Sequence, residues 1–161
     1  MIAMLWTVLI AGCSGSPGGP ANLGRINAAD DDPPPVLQSN DILEREQRAD
    51  KAQVKHILIS WRDLADAFDG RQDERAQNRS RGDAEKLVKE LYNRAVAGEP
   101  FEALMAEYSE DQGSASTGIS YEVFPGSSHV FEFRRMGIRL EVGEVGKVLS
   151  QFGWHVMKRV E

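Results

Sequence analysis

The chain of 161 residues has a single cysteine, no apolar run long enough to span a bilayer, and no excess of basic side chains. One cysteine cannot form an internal disulfide, and it cannot build a zinc site from several cysteines. No apolar run reaches the ~20 residues that cross the hydrocarbon core as a helix. The net charge of −6 argues against a general nucleic-acid binder, which presents a basic face. It also argues against docking on anionic lipid through overall charge.

Motifs for the commonest catalytic chemistries are missing as well. We find no Gly-x-Ser-x-Gly elbow, no phosphate-binding loop and no dinucleotide-binding fingerprint. The three histidines, His56, His129 and His155, follow no metal-ligand spacing, so we expect no metal site. His56 and His155 are flanked by aliphatic residues, where a histidine most often satisfies hydrogen bonds in a core. Composition and motif searches therefore select no enzyme class.

The first thirteen residues contain no charged side chain and end at the only cysteine, Cys13. Their apolar run is the right length for a signal-peptide core. The ending LIAGC (residues 9–13) resembles a bacterial lipobox, in which the cysteine is lipidated and becomes the mature N-terminus. We predict a signal peptide over residues 1–12 and a lipid anchor at Cys13, although the usual basic residue before the run is missing. A buried strand with an incidental cysteine is the alternative.

The residue after the cysteine bears on location. Ser14 stands there instead of aspartate, and in enterobacterial lipoproteins this resemblance implies transfer to the outer membrane. We therefore predict a lipid-anchored protein of the bacterial cell envelope, at the outer membrane and facing the periplasm. Acyl chains would supply the anchoring that the net charge cannot.

Residues 13–38 are predicted to be a flexible tether, because glycine and proline are frequent and apolar residues are too few to offset the entropy of ordering. About 25 coil residues reach roughly 25–30 Å. A packed N-terminal subdomain is the alternative. Residues 39–51 are predicted to be a short polar helix or linker, capped by Ser39 or Asn40. The folded domain is predicted over residues 52–161, and a fragment from Ala49 onward is expected to fold alone.

Periodicity within the domain predicts the order β-α-α-β-α-β-β. The predicted strands are residues 54–59, 119–124, 147–150 and 154–160, and the predicted helices are one capped by Ser80 and stopped at Gly98, then 101–108 and 131–138. The inward face of the first helix is predicted to be Ala84, Leu87, Val88, Leu91, Tyr92, Ala95 and Val96. Residues 61–81 are predicted to form a charged surface loop with room for one helical turn. This order indicates a single α+β domain with a four-stranded antiparallel sheet and a closing hairpin.

Five separated segments resemble the parvulin-type peptidyl-prolyl isomerases. They are VKHILI (54–59), GEPFEAL (98–104), YSEDQGSA (108–115), LEVGEV (140–145) and FGWHVMK (152–158). The segments follow the family's order with sensible spacing and cover residues 52–161. Agreement between several segments is far more specific than any one of them.

The resemblance implies roles for particular residues. His56 and His155 match paired histidines on neighbouring central strands, and Asp111 and Ser150 match positions beside them. Phe133 matches the aromatic wall of a proline pocket.

The resemblance also implies substrate-binding positions, and at some positions this sequence differs from the family pattern. Phe152 and Tyr121 are implied to bind substrate, although the family has leucine at the latter position. His129 falls where the family has a pocket methionine, and Ile119 replaces a glycine. A polar, titratable group at the pocket would weaken an apolar site.

The function implied is isomerisation of X–Pro bonds in unfolded or extended polypeptides, assisting the folding of exported or envelope proteins. No cofactor, metal or nucleic acid is implied, and membrane contact would come through the N-terminal lipid. The alternatives are a weak or inactive parvulin-fold chaperone and a tethered structural lipoprotein. We expect no preference for phosphopeptides, because acidic neighbours offset the arginines of the charged loop. Those arginines are Arg71, Arg75, Arg79 and Arg81.

Overall fold

The computed structural model describes residues 37–161. The predicted signal peptide, the lipid anchor at Cys13 and nearly all of the predicted tether lie outside the described residues. Within the part that is described, no helix combines the length and apolar character needed to cross a membrane.

In the described part of the chain, four strands form one antiparallel sheet in the order β2-β1-β4-β3. The strands are β1 (Ala52–Ile59), β2 (Tyr121–Val123), β3 (Val145–Ser150) and β4 (Gly153–Arg159). All four predicted strands are confirmed, with ends that differ from the prediction by two residues at most. Strands β3 and β4 form the predicted closing hairpin, joined by a two-residue turn because Ser150 pairs with Gly153.

Within residues 37–161, five α-helices and one 3-10 helix surround the sheet. They are α1 (Asn40–Leu43), the 3-10 helix (Arg62–Phe68), α2 (Glu74–Gln77), α3 (Arg81–Val96), α4 (Phe101–Tyr108) and α5 (Phe131–Gly137). The Ser80 hydroxyl accepts a hydrogen bond from the Asp83 amide, which is the predicted cap of α3. The predicted stop is also confirmed, since Gly98 has a φ of +94° just beyond the helix. Val96 was predicted to face inward, but it ends the helix with 59% of its surface exposed.

The sheet separates two apolar layers. Helices α3 and α4 cover one face, where they pack on Ile57, Trp154 and Val156. Helices α1 and α5 lie against the other face, which carries Val54 and Met157. Because side chains alternate along a strand, His56 of β1 and His155 of β4 lie on this second face.

Helix α1 is shorter and more deeply packed than the sequence indicated. Ile42 and Leu43 are 2% and 7% exposed and belong to the core beneath α5. The Ser39 hydroxyl does not cap the helix; it accepts a hydrogen bond from the Lys147 amide on β3 at 3.0 Å. The prediction that this segment adds little packing is therefore wrong, because two of its apolar residues cover the sheet. We propose that the folded unit begins near Leu37 and not at residue 52.

Truncation of Ile42 to alanine tests this revised boundary. We expect the free energy of unfolding to fall by about 2–4 kcal/mol, because a fully buried aliphatic side chain is removed and leaves a cavity. Chemical denaturation measures the change. The matched control is Val96→Ala at an exposed helix end, for which we expect a change within about 0.5 kcal/mol. Equal stability of wild type and Ile42→Ala would return the boundary to residue 52.

Candidate active site

Two histidines meet between the central strands. His56 of β1 is paired in register with Met157, and His155 of β4 is paired with Leu58, so the two imidazoles are diagonal neighbours on one face. Their Nδ1 atoms are 3.1 Å apart, and both side chains are buried. The placement agrees with the paired histidines that the resemblance implied.

The Asp111 carboxylate lies at one end of this pair. Its Oδ2 atom is 3.0 Å from His56 Nε2, and it also accepts hydrogen bonds from the hydroxyls of Ser114 at 2.6 Å and Tyr121 at 2.8 Å. The Ser150 hydroxyl lies at the other end, 2.8 Å from His155 Nε2. The structure thus brings His56, Asp111, His155 and Ser150 together as one connected network.

The network has one consistent direction when both imidazoles are neutral. Asp111 can only accept, so His56 donates through Nε2 and accepts at Nδ1. His155 must then donate from Nδ1 to His56, which leaves its Nε2 to accept from the Ser150 hydroxyl. Each hydrogen bond in this series, from Ser150 through the two histidines, is donated in the direction of Asp111. The bond dipoles therefore align toward the negative carboxylate.

Residues 109–110 position Asp111 by extending alongside β1. The Ser109 hydroxyl accepts a hydrogen bond from the Leu58 amide at 3.1 Å, and the Glu110 amide donates to the Leu58 carbonyl at 2.9 Å. The buried Glu110 carboxylate accepts from the Ser60 amide at 2.7 Å and forms an ion pair with Arg79. These contacts fix the backbone immediately before Asp111.

The electrostatics follow from burial and from these hydrogen bonds. Burial alone would raise the pKa of Asp111, but the hydrogen bonds from His56, Ser114 and Tyr121 outweigh it and hold that pKa well below its usual range. Burial and the adjacent carboxylate raise the pKa of Tyr121 to about 12. Burial, together with the nearby His56, lowers the pKa of His155 well below its ordinary value. At neutral pH, therefore, Asp111 is charged and Tyr121 and His155 are neutral.

An aromatic wall stands over the network. The Phe133 ring meets His56 edge to face, with centroids 5.0 Å apart, and His129 stacks on Phe133 at 5.2 Å. Tyr121 contacts His129 edge to face at 5.4 Å. His129 therefore lines the pocket and does not point away into solvent, and its Nδ1 lies 3.2 Å from the Ser127 hydroxyl.

The wall and the network enclose one side of an open cavity of about 450 Å³. Phe152 and Phe68 contact each other at 5.5 Å and form part of the opposite side. Of the residues assigned to the site from the sequence, Ser150 does not line this cavity, and it is only 8% exposed. Its hydroxyl supports His155 from beneath and is not placed to attack a bound molecule.

Ser114 and Phe68 are two of the site residues that were not predicted. Ser114 holds Asp111 through a short hydrogen bond, and its position three residues after an aspartate in a small-residue loop was the available signal. Phe68 lies in the charged loop, where nothing in the sequence marked it out.

Arginines of the charged loop are mostly engaged with carboxylates. The ion pairs are Arg75–Asp73, Arg79–Glu110 and Arg81–Glu85. Arg71 lines the cavity, 4.0 Å from the Asp69 carboxylate. Within residues 37–161, the candidate site included, no three histidine, cysteine, aspartate or glutamate side chains are grouped closely enough to hold a metal ion.

The aromatic wall of this pocket can contact an apolar ring, and the buried His–His–Asp network can interact with a polar bond beside that ring. Comparison with known proteins identifies the class. The family model for the PPIC-type peptidyl-prolyl isomerase domain matches residues 40–161. The chain belongs to this parvulin family of peptidyl-prolyl isomerases, as the sequence motifs predicted.

Relatives of this domain include folding factors. Chaperone SurA of Pseudomonas aeruginosa is 34% identical over 110 residues, which are 68% of this chain and 23% of SurA. Foldase protein PrsA of Geobacillus kaustophilus is 33% identical over 109 residues, which are 67% of this chain and 39% of PrsA. The chain thus matches well under half the length of either relative.

A solved structure supports the architecture. The peptidyl-prolyl isomerase ESS1 from Candida albicans superposes with a TM-score of 0.58, at 20% identity, over 70% of this chain and 63% of that one. The likeness at this identity confirms the fold.

Proposed function

We propose that the protein catalyses cis–trans isomerisation of X–Pro bonds in unfolded or extended polypeptides and thereby assists their folding. The observation that carries the proposal is the aromatic wall of Phe133 directly over the hydrogen-bonded histidines. An apolar wall can hold a prolyl ring, and the polar network lies beside the amide that must twist.

The chemistry needs no covalent step. Resonance in the amide gives an uncatalysed barrier of about 18–20 kcal/mol, and that resonance is lost at the twisted geometry. Groups that favour the twisted form over the planar one lower the barrier. The network of His56, His155 and Asp111 is fixed before substrate arrives, so it adds no cost of reorganisation when the bond rotates. We assign the histidines to this electrostatic role and not to an acid–base pair.

A protease-coupled assay with a proline-containing peptide tests the proposal on the full chain. We expect catalysed isomerisation at neutral pH and a large loss of catalytic efficiency in Phe133→Leu. This substitution leaves an apolar side chain in the core but removes the flat aromatic wall. A thermal melt checks that this variant folds. A wild-type protein with no activity over the uncatalysed rate would remove the isomerase proposal.

Peptide binding without efficient catalysis is the second candidate function. Its support is the polar character of the wall, where the Tyr121 hydroxyl and the His129 imidazole stand among the pocket residues. Under this alternative the protein would suppress aggregation of an unfolded client while the proline peptide isomerises at its uncatalysed rate. Measuring both on one preparation separates the two functions.

His129 gives the proposal a pH signature. Burial, and then the neighbouring His56 and Arg134 side chains, lower the pKa of His129, so it is neutral at pH 7 and takes up a proton only below its ordinary value of about 6.5. A charged imidazole against Phe133 is poorly solvated and disfavours an apolar ring. We therefore expect His129→Met to match or exceed wild type at pH 7, with an advantage that grows as the pH falls below about 6.5 and reaches about fivefold once the imidazole is charged.

Catalytic efficiency measured against pH for both proteins checks this prediction. The control is His129→Gln, which is polar but does not titrate, and it should keep a flat ratio to His129→Met across the range. Parallel profiles for wild type and His129→Met would show that the charge on this residue does not affect the rate.

We also propose that the domain acts in the bacterial cell envelope, at the periplasmic side of the outer membrane, held by lipid on Cys13. The support is the lipobox-like sequence before that cysteine, followed by Ser14. Metabolic labelling with a palmitate analogue should mark the wild type, and Cys13→Ser should remain unlabelled and unprocessed. Absence of label on the wild type would contradict the anchor without affecting the isomerase proposal.

A further inference from the structure

Six arginines gather around α5, outside the candidate active site. They are Arg45, Arg48, Arg134, Arg135, Arg139 and Arg159. They line two cavities of about 260 and 200 Å³, which adjoin because both are lined by Arg48 and Arg139. None of the six lines the active-site cavity. We call this set of six residues the arginine surface.

Carboxylates neutralise little of this surface. Of the ion pairs within residues 37–161, only Arg45–Glu144 involves one of the six. Glu141 is the one carboxylate that lines either cavity. Arginines elsewhere in the domain, such as Arg75 and Arg94, are engaged with acids. Positive charge is therefore concentrated here in a protein whose net charge is −6.

Backbone carbonyls orient the unpaired guanidinium groups. Arg134 donates to the Pro125 carbonyl at 2.6 Å, Arg135 donates to the Leu43 carbonyl at 3.0 Å, and Arg139 donates to the Arg45 carbonyl at 3.0 Å. A carbonyl positions a guanidinium without cancelling its charge. Burial, and then the like charges of Arg48 and Arg135, lower the pKa of Arg139. An anion bound at this surface would relieve that repulsion.

Two exposed aromatic side chains accompany the arginines. Phe131 is 61% exposed and lines the same cavity as Arg134 and Arg135, and Phe124 is 40% exposed next to Pro125 in that cavity wall. Large aromatic residues left in water beside cationic side chains are typical of surfaces that meet lipid headgroups and the start of the acyl region. Binding of a small soluble anion would not require exposed aromatic side chains.

We propose that the arginine surface docks the domain onto an anionic phospholipid bilayer, with the arginines on lipid phosphates and Phe131 at the acyl boundary. Guanidinium groups match phosphate oxygens in geometry as well as in charge. Overall charge would repel the domain from such a bilayer, so attraction through the arginine surface would hold the domain in one orientation. Arg135 and Phe131 also line a neighbouring cavity with Gln38, so the chain leading back to Cys13 begins beside this surface.

Vesicle sedimentation tests the proposal with the full chain carrying Cys13→Ser, so that no acyl chain contributes. We compare vesicles of phosphatidylcholine alone with vesicles containing phosphatidylglycerol, at low and high salt. Residues 1–13 have no charged side chain, so apolar binding through them is common to both vesicle types. We expect retention on the anionic vesicles only, and its loss at high salt because screening weakens exposed charge interactions.

Two double variants distinguish the surface from general charge. Arg48→Gln/Arg135→Gln should weaken binding roughly 30-fold, at about 1 kcal/mol for each arginine near an anionic membrane. Arg62→Gln/Lys89→Gln removes the same charge at exposed positions elsewhere and should bind as wild type. Arg48→Lys/Arg135→Lys should recover most of the affinity, and Phe131→Ser should weaken binding with the fold intact, because that ring is exposed.

Several results would overturn the proposal. One is equal retention on neutral and anionic vesicles, and another is an equal loss in both double variants. Displacement by inorganic phosphate at constant ionic strength would assign the surface to free phosphate. Binding that appears only after the three aspartates at 30–32 are changed to asparagine would make the chain's own acidic segment the occupant. Each of these outcomes is a measurement of membrane binding, so the test of docking is independent of whether the protein has isomerase activity.

Discussion

Asp111→Asn is expected to lower the catalytic efficiency of isomerisation by roughly 10²-fold while the domain stays folded, in line with the loss of one preorganised electrostatic group. The carboxylate Oδ2 accepts from His56, Ser114 and Tyr121 at 2.6–3.0 Å. An amide oxygen is a weaker acceptor with no charge, and the NH2 group beside it can only donate, so the side chain loses one acceptor oxygen and its charge together. The chain of donors from Ser150 through the histidines would lose its fixed end.

The Tyr121 pKa provides an independent readout of the same change. Burial and the Asp111 carboxylate raise that pKa to about 12, so it should move toward the ordinary value of about 10 in Asp111→Asn. Titration of the tyrosine by NMR measures the shift. Glu122→Gln is the matched control, because it removes one exposed carboxylate from the neighbouring position on β2. An unchanged rate in Asp111→Asn, with the Tyr121 pKa shifted, would separate the network from catalysis.

Local patterns predicted the elements of the fold well. The β-branched run at residues 54–59 became β1, and helix α4 has the predicted bounds. These elements carry their own signals: capping at Ser80, a glycine with positive φ at residue 98, and apolar spacing that matches one helical face. Such signals depend on neighbours in the sequence, so they can be read without knowing the tertiary structure.

Helix α1 was misjudged for the opposite reason. One turn of helix has too few residues for a periodic pattern, and its stability comes from contacts with β3 and α5 that are far away in sequence. Ser39 shows the same limit, because its hydroxyl bonds to the Lys147 amide, 108 residues away, and not to its own helix.

Some features of the candidate site could likewise be predicted from the sequence, and others could not. Family motifs placed His56, Asp111 and His155 at the correct positions, and strand register brings the two histidines together. The resemblance also assigned His129 and Phe133 to one pocket, but their stacked geometry depends on how the loop after β2 returns to α5, which no local pattern encodes. The arginine surface likewise joins residues near 45, 135 and 159, and the overall charge of −6 conceals it.

Gly153 is the position at which a single methyl group should do most damage to the fold. It opens β4 with a φ of +125°, a region that side chains with a Cβ rarely adopt. A Cβ atom here would lie 2.5 Å from the Ile59 carbonyl oxygen and 3.0 Å from the Ser60 Cα, and both are backbone atoms of the neighbouring strand end. No side-chain rotation can relieve those contacts, so either β4 moves away from β1 or the turn changes its path.

We expect Gly153→Ala to reduce the free energy of unfolding by about 3–6 kcal/mol, combining backbone strain with overpacking. Gly143→Ala is the matched control: its φ is +85° and nothing lies within 4 Å of its Cβ position, so only the backbone cost of about 1–2 kcal/mol remains. Chemical denaturation of both variants measures the two losses of unfolding free energy, and their difference is the steric contribution at Gly153.

Because Gly153 lies between Phe152 and His155, any displacement of β4 also moves these residues away from the cavity. Activity should therefore fall even where the variant is still folded. Equal stability losses in the two variants would show that the approach of β4 to Ile59 is not tight.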